Sequence, residues 1–355
     1  MLLRTLTRPA SLTGLCALFI ALLMAVFPAQ TLESSLRGLS IWWQVLFPAL
    51  FPFFVISELL LGFGIVHFFG KLLDPLMRPL FRLPGIGSFV VTMGYVSGYP
   101  VGARLTAQLW EQGLVNRAEG ERLVAFTTTS DPIFLIGAVS VGFFHNAALA
   151  PVIAAAHYGG AFIIGLLMRF HDRQAPITES PVHRRAHHRR TSRLVEATKA
   201  MHGARLLDGR TLGKLLQDSI QSALRLMIVV GGLVVFFSVV MELLTRAGVV
   251  EVLAEGLRLL FGAIGLHDKL ADASIFGLFE VTLGARAAGE AGTGLMHQTA
   301  IAVWILSWGG LSVHAQVLSL LSRTDLRYLP LMFARLAHGF ISVVLVYMLW
   351  GWLAP

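Results

Sequence analysis

Long apolar segments recur along the chain, and one is interrupted by a polar stretch at residues 94–104, Gly-Tyr-Val-Ser-Gly-Tyr-Pro-Val-Gly-Ala-Arg. The apolar arms beside it, residues 85–97 and 101–112, would extend only about 20 Å and about 18 Å as helices, whereas a bilayer core is about 30 Å thick. Gly98 and Pro100 favour a sharp turn between the arms. The pattern predicts a re-entrant helical hairpin with its polar tip buried in protein, and one spanning helix kinked at Pro100 is the alternative.

A second copy of this stretch lies at residues 274–286 and ends in the same Gly-Ala-Arg. Each copy is preceded by an apolar helix containing Glu-Leu-Leu, at residues 58–60 and 242–244, and we interpret these two glutamates as structural. Each copy is followed by an apolar segment that small or polar residues interrupt, at residues 127–132 and 307–312. Two halves that each contain a hairpin and a broken helix are typical of secondary transporters.

Seven apolar segments are predicted to span the membrane: residues 1–27, 39–61, 123–144, 147–169, 219–244, 299–321 and 329–352. The loop at residues 170–214 holds ten Lys or Arg and four Asp or Glu, which indicates that it is cytoplasmic. Three spans separate the starts of the two repeats, and an odd number inverts the second repeat relative to the first. The N-terminus is therefore predicted inside and the C-terminus outside.

Composition supports this interpretation, since 55% of the 355 residues are hydrophobic and 14% are charged. The formal net charge of +8 comes from basic residues concentrated in loops, so we expect no nucleic-acid partner. The chain has a single cysteine, Cys16, which excludes an intrachain disulfide. This residue lies in an apolar segment. Because no phosphate-binding loop, His-Glu-x-x-His motif or nucleophile elbow is present, we expect neither an enzyme nor a cofactor.

The predicted fold class is an all-α polytopic membrane protein with two inverted-topology repeats, each with a re-entrant helical hairpin and a discontinuous transmembrane helix. The first and second repeats are predicted at residues 39–169 and 219–355. Residues 1–38 form an N-terminal transmembrane helix with an outer loop, and residues 170–218 form a basic cytoplasmic linker.

The helix breaks provide the candidate chemistry, because a helix interrupted at membrane depth exposes N–H groups that attract anions and carbonyl groups that attract cations. Asp131 and Pro132 predict a helix N-cap and first residue, Pro100 is predicted in the same role, and Ser312 is a candidate cap of the last half-helix. For Asp131 a direct role in binding an ion or a proton stays open. The candidate substrate-binding residues are Ser97, Gly98, Tyr99, Arg104, Thr128, Thr129, Ser130, Asp131, Glu280, Thr282, Arg286, Gly310, Ser312 and Gln316.

Two of these candidates, Arg104 and Arg286, occupy equivalent positions just beyond the two predicted hairpin tips. A charge at that depth requires compensation. Each arginine can hold a substrate carboxylate with its guanidinium, or can pair with an acid such as Asp131 or Glu280. The sequence leaves these two interpretations equally open.

Several motifs occur together along nearly the whole chain: residues 48–52, 75–85, 98–104 (Gly-Tyr-Pro-Val-Gly-Ala-Arg), 130–132 (Ser-Asp-Pro), 142–144 (Gly-Phe-Phe), 157–158 (His-Tyr) and 309–312 (Gly-Gly-Leu-Ser) with Gln316. In this combination the sequence resembles the sporulation integral membrane protein family. Its members carry nucleoside-recognition Gate domains and are similar in architecture to the concentrative nucleoside transporters. Residues 128–132 read Thr-Thr-Ser-Asp-Pro where the family pattern has Asn-Thr-Ser-Asn-Pro, and this departure leaves the ion coupling or substrate detail open.

The resemblance implies a secondary-type transporter that moves dipicolinic acid, a pyridine dicarboxylate, from the mother cell towards the forespore. It also implies a location in a bacterial cell membrane, the outer forespore membrane of a sporulating cell. The expected partners are an anionic small molecule and the lipid bilayer, while the coupling ion, proton or sodium, and assembly as a homo-oligomer stay open. A carrier of nucleosides or other small organic anions is one alternative, and a non-transporting sporulation scaffold is another.

Overall fold

The computed structural model describes residues 9–132, 134–178 and 192–354, and every regular element within these ranges is a helix. The first half contains α1 (Pro9–Val26), α2 (Pro28–Ile41), α3 (Phe47–Gly62), α4 (Ile65–Phe81), α5 (Gly87–Ser97), α6 (Val101–Glu111), α7 (Arg117–Thr127) and α8 (Ala150–Met168). A π-helical turn, Trp42–Leu46, joins α2 to α3. A π-helical segment, Phe134–Phe143, and a 3-10 turn, Ala147–Leu149, lie between α7 and α8.

The second half begins after the part of the basic linker that lies outside the described residues. It contains α9 (Arg193–Asp208), α10 (Leu212–Arg246), α11 (Val249–Ala263), α12 (Asp268–Phe279), α13 (Val281–Gly289), α14 (Leu295–Trp308), α15 (Gly310–Leu321) and α16 (Tyr328–Leu353). Helix α16 packs against both α8 and α14, so the last helix joins the two halves. Helix α9, in the linker, packs along α4.

The described helices include four segments long and apolar enough to cross a membrane, namely Ala147–Met168, Leu212–Arg246, Leu295–Leu321 and Tyr328–Leu353. The number rises to six if each of two bent pairs counts as one span: Gly14–Val26 with Pro28–Gln44, bent by 106°, and Phe54–Gly62 with His67–Leu73, bent by 79°. The chain is therefore an all-α integral membrane protein. Seven spans and their orientation stay predictions.

Residues 28–38 form helix α2 rather than the predicted outer loop. Pro28 occupies the start of this helix, where its missing N–H removes no intrahelical hydrogen bond and its fixed φ suits the helix. The helix end is held against α10, because Trp42 Nε1 donates a hydrogen bond to the Met227 carbonyl at 3.0 Å.

The described elements follow the same order in both halves. Helix α3 and helix α10 each end before a glycine in the left-handed region, Gly64 with φ of 76° and Gly248 with φ of 75°. Glycine adopts this conformation without the steric cost that a Cβ would add. In each half a further helix, then two short packed helices, then a broken helix follow. The order agrees with the predicted repeats, whereas their inversion and the re-entry of the short helices stay predictions.

One end of the helix bundle is held by a buried carboxylate on α7, Glu121. Its oxygens accept hydrogen bonds from Arg327 Nε at 2.8 Å and Arg327 Nη2 at 2.9 Å, and lie 2.6 Å from His171 Nε2. Burial alone would raise the pKa of the Glu121 carboxyl, but the hydrogen bonds from Arg327 and His171 bring that pKa below its usual value. Glu121 therefore joins the first residues of α16 to the segment after α8.

The inverted arrangement predicts that the turns after α6 and after α10 face opposite sides of the membrane. In a Cys16→Ser background, cysteines at Gln112 and Ala247, both exposed, should react with a membrane-impermeant maleimide from opposite faces of oriented vesicles. Both should react after permeabilisation, which controls for accessibility. Labelling of both positions from one intact face would contradict the inversion.

Candidate functional site

Four interruptions of the helices meet in the interior: the turn between α5 and α6, the break after α7, the junction of α12 with α13, and the break between α14 and α15. A Cβ on Gly98 would lie 2.7 Å from the Asp131 backbone nitrogen, so the first turn lies directly against the first break. A Cβ on Gly310 would lie 2.9 Å from the Phe279 carbonyl oxygen, which gives the same arrangement in the second half. The Tyr99 hydroxyl donates a hydrogen bond to the Leu306 carbonyl of α14 and so connects the two halves.

Two of the half-helices that start at these interruptions are capped by carboxylates. The Phe134 N–H donates to Asp131 Oδ1 at 2.8 Å, as expected for the predicted N-cap. The Leu283 N–H donates to Glu280 Oε2 at 2.8 Å, so Glu280 is the N-cap of α13, a role that we did not predict. Both carboxylates thus compensate helix N-termini at the breaks.

The other two half-helices start without a side-chain cap. Helix α6 follows Pro100 and helix α15 follows Gly309, and neither N-terminus is bonded to a capping side chain. The predicted cap Ser312 is instead a buried residue inside the first turn of α15. Gly309 and Gly310, with φ of 88° and 72°, turn the chain in the left-handed region and start the helix before Ser312 is reached.

The two symmetric arginines do not pair with Asp131 or Glu280 as one interpretation predicts. Arg104 forms an ion pair with Glu58 of α3, with 2.5 Å between Nη2 and Oε1, which agrees with a structural role for Glu58. The Arg286 side chain is 62% exposed and its Nε lies 2.8 Å from Oε1 of Glu290, the residue directly after α13. Both side chains follow their turns by several residues and are directed to other neighbours.

The buried cation at the breaks is Arg335 of α16, which was not among the predicted binding residues. This residue is 1% exposed. Its Nη1 donates to the Thr128 carbonyl at the end of α7, and its Nη2 lies 3.5 Å from the Leu306 carbonyl near the end of α14. The guanidinium therefore binds the C-terminal ends of both broken helices, where the helix dipole favours a cation. An arginine inside the apolar run 329–352 was the signal that could have found it.

Several buried polar atoms around the breaks have no hydrogen-bond partner within the described part of the chain. They are Ser97 Oγ, Ser130 Oγ, Arg335 Nε and His338 Nδ1. Arg335 also forms no ion pair with a carboxylate of the described residues. Because native proteins leave few buried polar groups unpaired, this concentration indicates a position where a ligand or water binds.

The remaining candidates lie at or next to the breaks. Thr128 Oγ1 donates to the Val124 carbonyl at 2.7 Å, and Thr129 Oγ1 donates to the Gly94 carbonyl at 3.2 Å. Thr282 is in the first turn of α13, and Gln316 is buried in the second turn of α15. The structure thus brings together the predicted polar residues of both turns and both breaks, with Arg335 in place of the two symmetric arginines.

Residues 43–162, which include the first turn and the first break, match the family Gate, nucleoside recognition. The chain is thus a membrane protein with a Gate domain. Over 333 residues it is 42% identical to the sporulation integral membrane protein YlbJ of Bacillus subtilis, and the alignment covers 94% of this chain and 81% of that protein. The chain belongs to the sporulation integral membrane protein YlbJ family, which confirms the resemblance.

A second relative is an uncharacterised protein of Alkalihalophilus pseudofirmus, which is 37% identical over 65 residues, 18% of this chain and 14% of that protein. No solved structure matches the chain.

The close contact between the first turn and the first break predicts a stability effect. A Cβ on Gly102 of α6 would lie 2.6 Å from both the Thr127 carbonyl oxygen and Thr127 Oγ1. The backbone oxygen cannot move freely, so Gly102→Ala should lower the free energy of unfolding by about 1–3 kcal/mol. Thermal unfolding in detergent measures the loss. Gly232→Ala is the matched control, since no atom lies within 4 Å of that Cβ, and an equal melting temperature for both variants would contradict the contact.

Proposed function

We propose that this protein is a secondary-type transporter of dipicolinic acid, with the substrate bound between the two turns and the two broken helices. The observation that carries the proposal is the buried guanidinium of Arg335, whose Nε has no partner in the described part of the chain. A buried charge without a counter-charge is costly. One carboxylate of the substrate supplies that counter-charge, and the fork of guanidinium N–H groups suits its two oxygens.

The second carboxylate of dipicolinate needs a partner of its own. Helices α6 and α15 pack against each other, and their N-termini carry no side-chain cap. The first N–H groups of these helices and their dipoles suit an anion. Each such end contributes about 0.3–1 kcal/mol, or up to about 2 kcal/mol when partly buried. The two uncapped helix ends therefore contribute to the binding of the substrate in addition to the Arg335 guanidinium, and they are too weak to bind the dianion without it.

The same geometry distinguishes dipicolinate from the alternatives. An uncharged nucleoside would leave Arg335 without a counter-charge, so the site favours an anion although the family is described by nucleoside recognition. A non-transporting scaffold has no need for unpaired serine hydroxyls and a guanidinium at two helix breaks, because such groups destabilise a protein unless they bind something.

In this proposal the two turns are the tips of re-entrant hairpins, the repeats are inverted and the N-terminus is cytoplasmic. We extend to this chain the role in sporulation that the name of its Bacillus relative states. The transporter then acts in the outer forespore membrane and moves dipicolinate from the mother cell towards the forespore. The site lies between elements of both halves, which suits a carrier whose halves move relative to each other.

Replacement of Arg335 tests the proposal. Arg335→Gln removes the charge and should weaken dipicolinate binding at least about 30-fold, which corresponds to about 2 kcal/mol for loss of a buried charge-assisted pair. Arg335→Lys keeps the charge but not the fork, and should retain part of the affinity. Titration calorimetry of the purified protein in detergent measures binding, and uptake of labelled dipicolinate into liposomes measures transport.

Arg258→Gln is the matched control, because Arg258 pairs with Glu251 and Asp272 on α11 and α12 and contacts no break. It should bind dipicolinate as the unaltered protein does. Excess uridine should not compete. Unchanged affinity in a folded Arg335→Gln variant, or displacement of dipicolinate by uridine, would contradict an anion site at Arg335.

A further inference from the structure

Two fully buried histidines lie beside the helix breaks, His157 on α8 and His338 on α16. Their ring centroids are 5.1 Å apart. The His157 ring also reaches both broken helices, since its Nε2 accepts a hydrogen bond from the Ser130 N–H at 3.0 Å and its Nδ1 lies 3.0 Å from Ser307 Oγ. The histidines thus connect the helix that carries Arg335 to both breaks.

The hydrogen bonds of His157 fix it as a neutral ring. Its Nε2 must accept from a backbone N–H, so the proton of the neutral imidazole is on Nδ1 and is donated to Ser307 Oγ. Ser307 in turn donates to Ser342 Oγ at 3.0 Å. A second proton on His157 would lie on Nε2 and oppose the Ser130 N–H. His157 is therefore a fixed structural group.

His338 differs, because one of its nitrogens is open. Its Nε2 donates to the His157 carbonyl at 2.8 Å, so the neutral ring has a bare lone pair on Nδ1. This atom is buried and has no hydrogen-bond partner in the described ranges. A proton can be added at Nδ1 without breaking the bond at Nε2. His338 is the ring of the pair that can accept charge.

The groups around the two histidines determine when that proton is favourable. Arg335 lies one turn earlier on α16 and opposes a second positive charge while the site is empty. Tyr158 lies beside His157 on α8, and Ser307 of α14 and Ser342 of α16 are hydrogen-bonded next to the pair. Tyr95 and Tyr99 lie near Arg335. The carboxylates near Tyr99 are Asp131 and Glu280, which cap helices and accept hydrogen bonds from backbone N–H groups.

From this geometry, and resting on the proposed function, we propose that His338 binds one proton for each dipicolinate dianion, so that the protein is a proton and anion symporter. Arg335 offsets one carboxylate of the substrate, and the protonated His338 acts together with the uncapped ends of α6 and α15 to offset the other. Substrate and proton each make the other's binding more favourable, which couples their movement. The proton forms a bond to Nδ1, comes from water on the side of loading, and returns to water on the side of release.

The test uses the purified full-length protein in liposomes that contain a pH-sensitive dye, with the membrane potential held at zero by potassium and valinomycin. With the outside one pH unit more acidic, the unaltered protein should accumulate labelled dipicolinate up to about tenfold, because one pH unit corresponds to a tenfold ratio for one proton per substrate. The dye should report acidification that depends on dipicolinate.

His338→Gln removes the proton-binding group but keeps a hydrogen-bond donor, because the glutamine amide can still donate to the His157 carbonyl and cannot bind a proton. The variant should lose both the accumulation driven by the pH gradient and the dye signal that depends on dipicolinate. His297→Gln is the control, since His297 contacts Tyr347 away from the breaks and should behave as the unaltered protein.

Each outcome decides between the hypotheses. Dipicolinate transport by the unaltered protein that ignores the pH gradient, or that follows a sodium gradient, overturns proton coupling and leaves the proposed function standing. Absence of any dipicolinate transport overturns both. Undiminished coupling in His338→Gln, or its loss only in Glu280→Gln, overturns the assignment to His338. If His338→Gln does not fold, the measurements on the unaltered protein still decide whether one proton accompanies the substrate.

Discussion

The contact of one guanidinium with the carbonyl ends of two broken helices is the interaction on which the rest of the structure depends. Helices α7 and α14 both end in the interior, where their last carbonyls have no intrahelical partner and no bulk water. Arg335 binds a carbonyl of each, Thr128 and Leu306. Because α7 belongs to the first half and α14 to the second, the same side chain satisfies two helix ends and holds the halves together. Tyr99 reinforces this link from the first turn through the same Leu306 carbonyl.

The breaks can meet only because side chains are absent where backbones approach. Gly98 lies against Asp131 in the first half, and Gly310 lies against Phe279 in the second, both at distances too short for a Cβ. The two halves therefore reach the same solution with different sequences. In the first half a Gly-Tyr-Pro turn faces an aspartate cap, and in the second a glutamate-capped junction faces a pair of glycines. Close backbone packing thus brings the turn and the broken helix of each half into direct contact.

How much could be predicted depended on whether a feature has a local signal. Residue types at fixed spacing predict the turn at Gly98 and Pro100 and the helix cap at Asp131, and the structure has both. The partner of Arg104 could not be predicted, because Glu58 lies on a distant helix and only packing brings it near. The role of Arg335 was harder still, because its partners are backbone carbonyls, which carry no residue-type signature. Its charge within an apolar run was the one available sign.

In the proposed function the site must be stable both empty and loaded, and the arrangement at the breaks suits both conditions. When the site is empty, the partial negative charge on the ends of α7 and α14 compensates Arg335 without an acidic side chain. A buried carboxylate partner would compensate it more strongly, but would also compete with an anionic substrate for the guanidinium. The carbonyls are weaker partners that a carboxylate can supplement without displacing. Placing Asp131 and Glu280 at helix N-termini keeps the acids of this region bonded to backbone N–H groups, so that the cation remains available to the ligand.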